Sequence, residues 1–111
     1  MDKMAEFTRF YRIPGMGHCR GGTGPHDATD KMLEALIDWV EKGQAPQEII
    51  AHRGDRAEFL FAHASTGTGS GIAVPLSVGS ARDFLICPYP QRSVFNGKAG
   101  GEMDAKNWSC Q

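Results

Sequence analysis

The chain has 111 residues, of which 41% are hydrophobic and 23% are charged, and its formal net charge is -1. This length corresponds to one domain or part of one, and the apolar content excludes wholesale disorder. The near-zero net charge is not typical of a nucleic-acid-binding protein, which usually carries a basic surface. No apolar run approaches the ~20 residues of a membrane helix. Residues 1–17 lack the continuous apolar stretch of a signal peptide.

The first predicted element is a strand over residues 6–13, where apolar and polar residues partly alternate. Phe7, Phe10 and Ile13 also fit a three-residue spacing, so a short helix at the start is the alternative. Residues 14–27 are rich in glycine, contain two prolines and have little periodicity. They predict a loop between this first element and a helix.

An amphipathic helix from about Thr29 to Lys42 is the clearest structural prediction. Its apolar residues recur at helical spacing and form one stripe, which consists of Met32, Leu33, Leu36, Ile37 and Val40. Asp27 or Thr29 can cap the start of the helix, and Gly43 stands where a left-handed residue ends many helices. The stripe is the face that would pack on a sheet.

The segment after the helix predicts short strands and one surface loop. Residues 48–52 and 57–64 are candidate strands. Residues 65–71 read Ser-Thr-Gly-Thr-Gly-Ser-Gly, which is typical of a flexible loop. They do not form a phosphate-binding P-loop, because no Lys-Ser or Lys-Thr follows the glycines.

His18 is the main candidate for chemistry. It lies in Gly-Met-Gly-His-Cys, and glycines around a histidine let the backbone turn sharply at the open end of a strand. An α/β-hydrolase presents its general base at such a place, and its triad follows the chain order nucleophile, acid, histidine. Without further context, a lone loop histidine is more often solvent-exposed or structural.

The other members of such a triad do not precede His18. All six serines follow it, and none lies in the Gly-x-Ser-x-Gly motif that presents a nucleophile. The acidic residues before it are Asp2 and Glu6, and both are too near the start to follow a nucleophile. The sequence therefore predicts at most one of the three triad residues.

Four motifs in combination resemble the tannase and feruloyl esterase family. They are Gly-Met-Gly-His-Cys, the helix end Asp-Trp-Val-Glu-Lys-Gly-Gln-Ala-Pro, Cys-Pro-Tyr-Pro and the closing Asn-Trp-Ser-Cys. The resemblance covers most of the chain and is weakest over residues 54–80. It implies that residues 1–111 are the C-terminal part of an α/β-hydrolase domain. That part would consist of a strand, the histidine loop, the terminal helix, short strands and a disulfide-closed end.

The resemblance also implies a function. The family hydrolyses esters of aromatic acids, such as galloyl and feruloyl esters, through an acyl-serine intermediate. In that scheme His18 is the acid/base, which takes the serine proton and later protonates the leaving alcohol. The substrate-recognising lid, with any metal bound to it, lies upstream, so we expect no cofactor and no metal in this chain. We expect the chain to supply the triad histidine and to be inactive alone.

The resemblance implies separate roles for the three cysteines. Cys87 and Cys110 are expected to form a disulfide. By the loop-entropy estimate, this bond would stabilise the fold by roughly 3 kcal/mol. Cys19 corresponds to a cysteine that pairs with one directly before the nucleophile, and that partner has no counterpart here. From the residues alone, three free thiols are an alternative. A metal site is another, although no usual ligand spacing supports it. Its candidate histidines are His18, His26, His52 and His63.

Three residues near His18 have two interpretations. Arg20, His26 and Asp27 could orient the histidine or touch substrate, but loop solubility and helix capping are the favoured roles.

The protein as a whole also has an alternative function. It could be a non-catalytic binding or interaction module derived from the C-terminus of a hydrolase. The resemblance implies a secreted or periplasmic location and an aromatic ester as substrate of the full-length parent. We expect no nucleic-acid or membrane partner. An unpaired strand edge and an uncovered helix stripe would favour a homodimer through exposed core surface.

Overall fold

The computed structural model describes residues 3–17, 22–54 and 80–111. The predicted strand over 57–64 and the predicted loop over 65–71 lie outside these described residues. The elements in chain order are a 3-10 turn at Met4–Glu6, helix α1 at Ala28–Lys42, strand β1 at Ile49–Arg53, strand β2 at Arg82–Ile86, strand β3 at Ser93–Phe95, a second 3-10 turn at Ala105–Asn107 and strand β4 at Trp108–Cys110. Within the described ranges, β1 pairs with β2 and β3 pairs with β4, both antiparallel.

Helix α1 confirms the amphipathic prediction and begins one residue earlier than expected. Gly43 is left-handed with φ of 68°, and its amide donates to the Trp39 carbonyl at 3.0 Å. This closes the last turn of the helix. Asp27 occupies the position just before the helix, but its carboxylate does not cap the first turn. It accepts a hydrogen bond from the His52 amide instead.

The apolar stripe of α1 is largely uncovered by the described residues. Leu36 is 52% exposed and Val40 is 76% exposed, and Leu33 and Ile37 are exposed as well. The part of the helix that is covered is its N-terminal half, where Ala28 is fully buried and Met32 packs against the same cluster. The helix therefore shields one end of a small core and presents the rest of its apolar face outward.

The strand predicted over residues 6–13 does not form, and this expectation was wrong. The segment begins with the single 3-10 turn at Met4–Glu6, which partly realises the helical alternative, and then runs without a ladder to an isolated bridge between Tyr11 and Pro88. The Tyr89 amide donates to the Phe10 carbonyl at 2.8 Å. The neighbouring chain turns directly after this bridge, because the Gln91 amide donates to the Pro88 carbonyl at 2.9 Å. The pairing therefore does not extend beyond Tyr89.

The main core lies between α1 and the β1–β2 pair. The predicted strand over 48–52 is confirmed as β1, and its residues alternate between buried and exposed positions. The buried cluster consists of Ala28, Ile49, Ala51 and Ile86. A second cluster of Leu85, Cys87 and Ala105 lies on the other face of β2 and packs against Trp108. No described helix is long and apolar enough to span a membrane.

Candidate active site

The described residues form the base of the loop that carries His18. The loop has two arms, one before His18 and a returning arm after it, and they meet at an isolated antiparallel bridge between Met16 and Gly22. The Gly24 amide also donates to the Gly15 carbonyl at 2.8 Å. The chain therefore leaves one arm after Gly17 and returns at Gly22, directly beside the point where it left. His18, Cys19 and Arg20 lie outside the described residues, so their predicted roles stay predictions.

Close backbone contact explains why glycines occupy this base. Gly22 has φ of 86°, and a Cβ there would overlap the Gly15 carbonyl oxygen. A Cβ on Gly24 would lie 2.5 Å from the Pro14 carbonyl oxygen and 2.8 Å from the Met16 amide nitrogen. Both collisions are with backbone, which no side-chain rotation relieves. Close backbone contact therefore favours glycine at both positions, and the positive φ of Gly22 does so as well. The predicted sharp turn at His18 itself stays a prediction.

The returning arm of the loop is attached to strand β1. The His26 amide donates to the His52 carbonyl at 2.8 Å, and the His52 amide donates to Asp27 Oδ1 at 2.5 Å. The Arg53 guanidinium donates to the Thr23 carbonyl through Nη1. Asp27 thus acts by tying the loop to a strand rather than by capping α1, which corrects the favoured interpretation of its side chain.

A histidine–aspartate pair lies on the neighbouring surface. His52 and Asp83 are register partners across β1 and β2, and His52 Nδ1 is 2.7 Å from Asp83 Oδ1. Both side chains are exposed, at 49% and 42%. At this exposure the pair contributes little stability. No group of three or more histidine, cysteine or acidic side chains in the described ranges is arranged to hold a metal ion.

Several clefts border the described fold. One, of about 360 Å³, separates the N-terminal segment from α1 and includes Arg9, Tyr11 and Trp39 in its lining. Tyr11 donates from its hydroxyl to the Pro46 carbonyl at 3.0 Å, and burial raises the pKa of this hydroxyl above 10.0, against an opposing effect of Arg9. The Arg9 guanidinium lies 5.0 Å from the centre of the Trp39 ring.

Another cleft, of about 400 Å³, is lined in part by the described base of the His18 loop. Its lining includes Thr23 from the loop and Arg82 from β2. The Arg82 guanidinium stacks over Phe84 at 4.6 Å and over Trp108 at 5.5 Å from the ring centres. This aromatic and cationic surface lines the same cleft as Gly15 and Thr23 at the base of the loop.

The structure contains the disulfide between Cys87 and Cys110 that the family resemblance implies. Their Cα atoms are 5.6 Å apart and the residues are separated by 23 positions. Cys87 directly follows β2 and Cys110 ends β4, so the bridge fastens the C-terminal hairpin to the main sheet. The interpretation of these two residues as free thiols or metal ligands is therefore wrong.

Sequence reasoning missed Arg53 and Asp83. Arg53 carries a usable signal, because it continues the buried positions of β1 set by Ile49 and Ala51. A charged residue in the buried register of a strand points to a specific set of polar partners. Asp83 carries no such signal, because its meeting with His52 depends on the register of two strands far apart in sequence.

The disulfide-closed C-terminal end agrees with the family resemblance found in the sequence. The family described as "Tannase and feruloyl esterase" matches residues 1–111. The chain therefore belongs to the tannase and feruloyl esterase family.

Curated relatives and a solved structure agree with this membership. A probable feruloyl esterase B-2 of Aspergillus terreus is 36% identical over 121 residues, covering 98% of this chain and 19% of the relative. The mono(2-hydroxyethyl) terephthalate hydrolase of Piscinibacter sakaiensis is 36% identical over 112 residues, covering 99% of this chain and 15% of the relative. The crystal structure of an esterase from Aspergillus oryzae matches with a TM-score of 0.61 at 33% identity, covering 99% of this chain and 20% of that one. The chain thus spans a fifth or less of the length of these relatives.

Proposed function

We propose that residues 1–111 are the C-terminal portion of an α/β-hydrolase domain whose activity is the hydrolysis of aromatic carboxylic esters. The observation that carries this proposal is the family match over the whole chain. The names of two relatives specify esters of ferulate and of terephthalate, and both acids are aromatic. Galloyl or feruloyl-type esters are therefore the substrate class of the full-length parent.

In the proposed mechanism, His18 is the general acid/base. It takes the proton of a serine hydroxyl while that oxygen attacks the ester carbonyl, and it then protonates the departing alcohol. Water repeats the sequence on the acyl-serine. The described loop base supports this role, because the crossing at Gly15 and Gly24 and the ties to β1 give the loop a fixed foundation. No serine precedes His18 in this sequence, so the nucleophile and the triad acid come from other residues of the parent.

The proposal extends to Cys19 and to location. In the parent, Cys19 pairs with a cysteine next to the nucleophile and ties the two catalytic loops together. A secreted or periplasmic location is supported by the Cys87–Cys110 disulfide, because such bonds form and persist in oxidising compartments.

Two assays test the esterase proposal. The isolated chain should hydrolyse methyl ferulate, methyl gallate and a p-nitrophenyl ester no faster than its His18→Ala variant does. In a hybrid enzyme, this chain replaces the fifth of the Aspergillus oryzae esterase that it matches. The hybrid should hydrolyse an aromatic ester, whereas the esterase shortened by that fifth should not. Clear turnover by the isolated chain would contradict inactivity alone, and a cooperatively folded hybrid without activity would contradict the esterase role.

As a fragment, the chain should also form a homodimer through exposed core surface, whereas a compact monomer would favour the second candidate function, a non-catalytic binding or interaction module derived from the hydrolase C-terminus. The observation that favours association is the exposed stripe of α1, where Leu36 and Val40 face outward. Apolar patches of this kind mark association surfaces. In analytical ultracentrifugation at micromolar concentration, the chain should sediment as a dimer. Leu36→Glu should shift it to a monomer, and the exposed-site control Glu41→Gln should not. A compact monomer of the unsubstituted chain would contradict the dimer.

A further inference from the structure

Arg53 is a buried cation in a strand, and the energetic cost of burying a charge requires an explanation. Its side chain lies in the inward register of β1, and the residue is 7% exposed. Among the described residues it forms no ion pair with a carboxylate. A buried guanidinium that lacks an opposite charge needs hydrogen-bond acceptors for its N–H groups. The guanidinium also lies over the Phe84 ring at 5.5 Å.

The donors of Arg53 are used to hold two backbone carbonyls. Nε and Nη2 both donate to the Ser80 carbonyl, at 3.0 and 2.8 Å, and Nη1 donates to the Thr23 carbonyl. Thr23 belongs to the returning arm of the His18 loop, one residue after the bridge at Gly22. Arg53 therefore connects the loop base to the sheet through a rigid planar group.

We infer that Arg53 is a positioning residue for His18. It acts through its hydrogen bond to the Thr23 carbonyl and through the contact between Gly15 and Gly24 at the base of the loop. The inference rests on the proposed function of His18 as the acid/base. An imidazole must sit within a fraction of an ångström of its working position, and a displacement of about 1 Å can lower the rate of reaction about 100-fold. The main-chain bonds of His26 and the Asp27 carboxylate fix the far end of the same arm. Arg53 fixes the end nearest His18.

The first test measures the loop base in this chain alone. Amide hydrogen exchange, followed by NMR, compares the Gly24 amide with the Ala51 amide in β1 for Arg53→Gln, Arg53→Lys and the exposed control Arg92→Gln. We expect Gly24 to exchange about 10-fold faster or more in Arg53→Gln, with Ala51 within about 2-fold of its original rate. Arg53→Lys should give an intermediate rate, because an ammonium cannot donate to both carbonyls in the same geometry. An unchanged Gly24 rate, or equal acceleration of Gly24 and Ala51, would overturn the inference.

The second test measures catalysis in the hybrid enzyme. Arg53→Gln should lower kcat for methyl ferulate about 100-fold and leave KM within about 3-fold, with partial recovery in Arg53→Lys. A His18→Ala hybrid assayed in parallel distinguishes failure of the inference about Arg53 from failure of the proposed function of His18. If His18→Ala abolishes turnover and Arg53→Gln leaves kcat intact, the inference about Arg53 is wrong. If His18→Ala is itself fully active, the proposed function is wrong, and the exchange result still reports on the attachment of the loop.

Discussion

Replacing Gly24 by alanine is expected to break the base of the His18 loop. The new Cβ would lie 2.5 Å from the Pro14 carbonyl oxygen and 2.8 Å from both the Gly15 carbonyl carbon and the Met16 amide nitrogen. Ordinary contacts need ~3.5 Å or more, so the opposing arm must move by roughly 1 Å. Such overpacking costs about 1–3 kcal/mol. The same movement breaks the 2.8 Å bond from the Gly24 amide to Gly15. That bond has a net worth of about 0.5–1.5 kcal/mol.

The free energy of unfolding should therefore fall by roughly 2–4 kcal/mol in Gly24→Ala. Gly54→Ala is the matched control, because nothing lies within 4 Å of its added Cβ and its φ is outside the left-handed range. The control should be neutral or more stable by up to about 1 kcal/mol, since alanine restricts the unfolded chain. Urea denaturation followed by circular dichroism gives both values. Stabilities within about 0.5 kcal/mol of each other would refute the close-contact explanation.

Two further perturbations test other parts of the described fold. Replacing Cys87 and Cys110 together by alanine should lower the free energy of unfolding by about 3 kcal/mol, because the bridge no longer constrains the unfolded chain. A loss below about 1 kcal/mol in urea denaturation would be inconsistent with that estimate. For Tyr11, the raised pKa means that the folded chain holds the hydroxyl proton more tightly than the unfolded chain does. Its stabilisation is therefore complete below the unfolded pKa of about 10 and is lost as the pH rises through the raised folded value. In a Tyr89→Phe variant, where Tyr11 is the one remaining tyrosine, the tyrosinate absorbance midpoint should lie higher in the folded chain than in urea, and equal midpoints would contradict this.

Local patterns in the sequence predicted the local structure well. Helix α1 was predictable because its stripe and the glycine at its end act within a few residues of each other. Strand β1 was predictable from its short apolar alternation. The strand over residues 6–13 was not, because strand formation depends on a neighbour, and the neighbouring chain here turns directly after Pro88. Its own alternation contained no information about that partner.

The surroundings of the candidate site depend on contacts between distant residues. The Arg53–Thr23 and His52–Asp83 contacts join positions about 30 residues apart, and no spacing rule encodes them. The disulfide came from family resemblance, and the structure joins the same two cysteines. From the sequence, the glycines near His18 were expected to allow a turn. The structure shows that the glycines at the loop base also let two backbone segments lie in direct contact.

The most direct test of the central claim is the effect of His18→Ala on kcat/KM for methyl ferulate in the hybrid enzyme. His52→Ala is the matched control, because the His52 side chain is about half exposed and its ring nitrogen Nδ1 lies 2.7 Å from the exposed carboxylate of Asp83. We expect a loss of about 1000-fold or more for His18→Ala and a change within about 10-fold for His52→Ala. A His18→Ala hybrid that keeps kcat/KM within about 10-fold of the unsubstituted hybrid would contradict the assignment of His18 as the acid/base.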